Sequence, residues 1–144
     1  MNQHIYLRAY MAGIVVPAVF LLVVATVFTI ARYVYNVPVP IERVIVFPMA
    51  VVPNVWGLWN ILFIALRSRL HLSIGLHGAL LPFLLAPLGM ALAGILEIPV
   101  TSFATHALPL AVLALPFVWL MVIIAYYLVW KYIVAFLNRV VGLM

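Results

Sequence analysis

The amino-acid sequence predicts an all-α membrane protein whose four transmembrane helices form an up-down bundle. Three observations carry this. Of 144 residues, 70% are hydrophobic and 6% charged, against about a quarter charged in an ordinary soluble domain. Four uncharged apolar runs of at least 21 residues follow one another, and about 20 helical residues cross a hydrocarbon core of ~30 Å. The alternation that marks a membrane barrel is missing. With so few polar side chains to cover a globule, and a mean hydropathy of +1.38, a soluble enzyme, a disordered tail and a nucleic-acid binder are excluded.

The expected spans are Met11–Ala31, Val44–Leu66, Leu76–Leu96 and Ala107–Trp130. The first is too long for a signal-peptide core and is read as retained. Between the first two, Asn36-Val37-Pro38-Val39-Pro40 cannot continue a helix. The second joint carries Arg67, Arg69 and His71, and the third carries Glu97 and Pro99. Residues 131–144 are apolar apart from Lys131, Tyr132, Asn138 and Arg139, and either extend the fourth helix or lie in the interface.

The basic residues orient the chain. With four spans, Arg8, Arg67, Arg69, Lys131 and Arg139 share the side of both termini, against Arg32 and Arg43 opposite. The inside bias of Lys and Arg then places both termini in the cytoplasm of a cell with a plasma or inner membrane. Glu42 and Glu97 fall outside, which leaves an inner face suited to anionic lipid headgroups. Tyr6, Tyr10, Tyr33 and Tyr35 sit at the ends of the first span, and Tyr126, Tyr127, Trp130 and Tyr132 at the inner end of the fourth, as interfacial rings do.

A weak internal repeat suggests two tandem helical hairpins. Gly13-Ile-Val-Val-Pro17 matches Gly78-Ala-Leu-Leu-Pro82, and Val37-Pro38-Val39 matches Ile98-Pro99-Val100. Duplication explains both, as does chance matching of apolar sequence.

Few residues offer chemistry. The chain has no Asp and no Cys, and its two glutamates stand 55 positions apart. That argues against metal hydrolysis, aspartyl proteolysis, thiolate catalysis and phosphoryl transfer, so no catalytic or metal-binding residue and no cofactor is expected. Of the four histidines, His4, His71 and His77 share the inner side and His106 the outer, an arrangement poorly suited to two haem ligands. Ser102 and His106 lie on a proline-broken joint without an orienting acid. Glu97 reads as an interfacial ion-pair partner of Arg32 or Arg43.

Asn54 is the leading polar candidate. It lies near the middle of the second span and follows Pro53, which frees the carbonyl of Met49. An amide in hydrocarbon must find a partner, so Asn54 is expected to point into the bundle. Trp56 and Asn60, four residues apart, share a helical face. Asn54, Trp56 and Asn60 together are the substrate-binding set of a transporter; the simpler reading is interhelical hydrogen bonding. On the third span Pro82, Ala86, Gly89 and Ala93 form a stripe of slender residues, of which Ala86, Gly89 and Ala93 are expected to pack against another helix. No motif assigns the chain to a known family. The sequence thus favours a non-enzymatic integral membrane protein that packs with itself or with another membrane subunit, and a small-substrate transporter or channel protomer as the alternative.

Overall fold

The computed structural model describes residues 4–37, 41–95 and 108–144, side chains at 41–49, 93 and 108–113 excepted. Every regular element among them is helical. In chain order these are α1 (Ile5–Tyr33), α2 (Ile41–Leu70), α3 (Ile74–Ile95), α4 (Leu108–Leu128), a π-helical segment (Val129–Val134) and α5 (Ala135–Val140). Four stretches, Ile5–Tyr33, Ala50–Leu70, Ile74–Leu92 and Ala114–Val140, are long and apolar enough to cross a membrane.

The helices outrun the uncharged stretches at several ends. α1 begins before Met11 and includes Arg8, and α2 carries Arg67 and Arg69 in its last turn. The second joint therefore shrinks to His71–Ser73. Long basic side chains carry their charge beyond the helix that bears them, and cations suit a helix C-terminus, so a charge does not mark the end of a span.

Local chemistry sets the boundaries. After α1, Asn36 takes a left-handed φ of 53°, and the Val37 N–H donates back to the Ala31 carbonyl at 3.1 Å. Before α3, the Ser73 hydroxyl accepts from the Leu76 N–H at 3.3 Å, an N-cap bond. Pro17, Pro82, Pro87 and Pro116 stay inside continuous helices. Membrane helices tolerate such prolines because neighbours satisfy the freed carbonyls. The tail after Trp130 prolongs the fourth helix through the π-helical segment to Val140. It closes on Gly142, with φ of 72°, where Leu143 N–H bonds the Asn138 carbonyl at 2.8 Å and Gly142 N–H the Arg139 carbonyl at 3.0 Å. This is a Schellman turn, and only glycine takes its positive φ without strain.

The chain divides into two compact units, Met1–His71 with Ile133–Met144, and Leu72–Tyr132. In the first, α1 packs against α2 and also meets α5. Gly13 lies against Gly57 while Ala9, one turn earlier, meets Asn60, so α1 and α2 run in opposite directions. In the second unit α3 packs against α4 and the π-helical segment that prolongs it. Gly78 lies against Trp130 and Phe83 meets Trp119 edge-on at 5.5 Å, which is again an antiparallel register.

The repeated Gly-x-x-x-Pro pieces occupy matching places. Gly13 lies against the backbone of α2 and Gly78 against the Trp130 side chain, and Pro17 and Pro82 are both buried. Trp130 is fully buried, its indole pressed on Gly78 and 5.9 Å from the His77 ring.

Candidate functional site

The first unit is built on the close approach of α1 and α2. Ala9, Ala12 and Gly13 give α1 a slender buried face. A methyl on Gly13 would stand 2.7 Å from the Trp56 carbonyl oxygen and 2.9 Å from Gly57 Cα, so the two backbones touch directly. Such proximity gives membrane helices their dispersion contacts, since lipid offers no hydrophobic drive between them.

Proximity also brings Asn60 within reach of a backbone. Its Nδ2 donates to the Ala9 carbonyl at 2.7 Å and to Asn138 Oδ1 at 2.8 Å, while its Oδ1 accepts from Asn138 Nδ2 at 3.0 Å. Both residues are 0% exposed. The two amides are therefore reciprocal partners, and both hydrogens of the Asn60 amide are engaged. The Ala9 carbonyl, already a helical acceptor, uses its second lone pair. Three helices, α1, α2 and α5, are joined at one point.

A second polar junction holds the turn after α5. Arg8 Nη1 donates to the Val141 carbonyl at 3.0 Å, and Arg67 Nη1 to the Leu143 carbonyl at 2.6 Å. These carbonyls lie where a helix ends with unmatched acceptors and partial negative charge, and the guanidiniums match both. Leu143 is buried beneath them.

Asn54 stands apart. It is exposed on the first unit, where the Tyr10 hydroxyl donates to its Oδ1 and its own Nδ2 donates to the Ala50 carbonyl. Its amide is thus held both by α1, through Tyr10, and by its own helix, while the residue itself stays exposed. Tyr10 reaches it across Gly57, where a methyl would come within 2.5 Å of the Tyr10 ring. Trp56 and Asn60, by contrast, are buried. The three proposed binding residues thus split between an exposed and a buried face.

On α3, no atom of the described residues stands within 4 Å of where a Gly89 Cβ would be. Ala86 is half-buried, and the side chain of Ala93 lies outside the described residues. The glycines that mediate close approach are Gly13 and Gly57 in one unit and Gly75 and Gly78 in the other. Gly75 faces the Tyr127 ring and Lys131 Cβ, and the Lys131 ammonium stands 5.4 Å from the Tyr127 and Tyr132 ring centroids, a cation–π arrangement.

Among the described residues no three His, Cys, Asp or Glu side chains gather as a metal site. Glu97, Pro99, Ser102 and His106 lie outside the described residues, as does the side chain of Glu42. Sequence reasoning missed Asn138, the partner of Asn60, and the Ala9-x-x-x-Gly13 spacing that lets α2 approach. No family model matches the chain, and no curated protein or solved structure matches it.

Proposed function

We propose that the chain is a non-enzymatic integral membrane protein, a packing or assembly unit that associates with itself or serves as a subunit of a larger membrane complex. In this reading its four long helices cross a plasma or inner membrane up and down, with both termini cytoplasmic and anionic lipid around the basic ends. One observation carries it: the buried amides Asn60 and Asn138 bond each other and a backbone carbonyl. Polar groups committed to one another hold helices together and leave little for a substrate. The chain's lack of Asp and Cys agrees with this. The open α3 face around Ala86 and Gly89 offers a surface for a second helix pair. Mass measurement of the protein purified in mild detergent tests the proposal. A self-assembled species or a stoichiometric co-purified membrane subunit supports it, and a monomer without partners refutes it.

A second reading, a small-substrate transporter or channel protomer, is favoured by the exposed Tyr10–Asn54 pair. Two polar side chains on the face of a long apolar helix pair are placed where a hydrated or protein surface could meet them.

A further inference from the structure

Four arginines gather at one end of the first unit: Arg8 near the start of α1, Arg67 and Arg69 in the last turn of α2, and Arg139 in the last turn of α5. Arg8 and Arg67 are fixed by the Val141 and Leu143 carbonyls, two residues apart, and so flank Gly142 from two helices. Arg139 folds back on the Ala135 carbonyl at 3.4 Å, and Arg69 is exposed. A carbonyl orients a guanidinium without neutralising it, and it takes one of five N–H donors. Glu42 lies in the first turn of α2, at the far end from Arg67.

Exposed apolar side chains flank these arginines in sequence, beside the exposed polar Ser68 and His71. Tyr6, Leu7, Leu70 and Val140, each adjacent in sequence to one of these arginines or two residues from it, are all exposed large side chains. Planar donors over an apolar skirt match a ligand with a phosphate head and hydrocarbon tails. We propose that Arg8 and Arg67, assisted by Arg69 and Arg139, bind the phosphate of an anionic phospholipid at the turn after α5. The site also couples that lipid to the docking of α5, because the guanidiniums that would hold the phosphate also hold the Val141 and Leu143 carbonyls. This inference rests on the membrane reading.

The test uses the full chain. Insertion is scored first by carbonate extraction from vesicles of dioleoyl phosphatidylcholine alone, and failure there refutes the membrane reading itself. Native mass spectrometry and thermal unfolding in mild detergent then compare added dioleoyl phosphatidylglycerol, dioleoyl phosphatidylcholine and inorganic phosphate. The expected result is selective binding and stabilisation by phosphatidylglycerol, weakened about fivefold by Arg67→Gln and again by Arg8→Gln. Arg69→Gln, which removes no backbone anchor, covers the case in which those variants fail to fold and should weaken binding in the same direction. Lys131→Gln, in the other unit, should leave binding unchanged. Equal binding of the two lipids overturns the proposal, as does an equal loss from Lys131→Gln. Binding of inorganic phosphate as strong as that of the lipid makes this a simple anion site and also overturns it.

Discussion

Asn60 and Asn138 hydrogen-bond each other in both directions, at 2.8 and 3.0 Å, with no solvent exposure at either residue. Each amide is therefore the other's replacement for water. Removing one leaves its partner buried with unmatched groups, which is costlier than removing both. Asn60→Leu and Asn138→Leu should each destabilise the protein by about 1–2 kcal/mol. The double variant should lose clearly less than the sum. Unfolding in mild detergent across the four species of a double-mutant cycle measures this, and additive losses would show that the pair is not coupled.

The glycines give a contrast between a filled and an open position. At Gly13 a new methyl meets the Trp56 carbonyl and Gly57 Cα, both backbone atoms that cannot swing aside. Gly13→Ala should cost about 1–3 kcal/mol by forcing α1 and α2 apart. Gly89→Leu meets open space among the described residues and should leave the unfolding transition within about 0.5 kcal/mol of the parent. A change in oligomer distribution for Gly89→Leu, at unchanged stability, would assign the α3 face to self-association. Sedimentation in detergent beside thermal unfolding separates the two effects.

Much of this fold was legible in the sequence because hydropathy follows helix length directly. Four uncharged runs correspond to four long helices, and the break expected at Asn36-Val37 follows α1, whereas the Ser73 cap before α3 was not read from the sequence. Contacts between helices were less accessible. The stripe at Ala86 and Gly89 resembles the Ala9–Gly13 spacing in side-chain size, yet a helix backbone stands against Gly13 and, among the described residues, no atom stands against Gly89. Size permits approach but does not name the partner. Likewise Asn54 and Asn60 are the same residue six positions apart on α2. That offset turns them to different faces, and only the packing of α1 and α5 decides which one is buried.

Orientation in the membrane has a direct test, since the chain contains no cysteine and a single introduced thiol is unique. Asn36 and Met144 are both exposed. By the distribution of basic residues, Asn36→Cys should react with an impermeant maleimide on intact cells. Met144→Cys should react only after permeabilisation. The reverse pattern would invert the orientation, and labelling of both from outside would contradict an even number of spans.

The Tyr10–Asn54 pair separates the two functional readings. The Tyr10 hydroxyl donates to Asn54 Oδ1, and the Asn54 amide is also held by the Ala50 carbonyl. If the pair only ties α1 to α2, Tyr10→Phe and Asn54→Leu should each lower stability by about 0.5–1.5 kcal/mol, and any cellular phenotype should scale with that loss. If the pair faces a hydrated path, both variants should fold with near-parental stability and lose transport or ligand-dependent stabilisation. Asn60→Leu is the internal reference, because its amide is engaged with Asn138 and should report stability alone. Thermal unfolding and phenotype must be measured on the same three variants. Phenotypic loss in Tyr10→Phe and Asn54→Leu beyond that of an equally destabilised Asn60→Leu would favour transport. Equal scaling across all three leaves α2 a packing helix and removes the transporter reading.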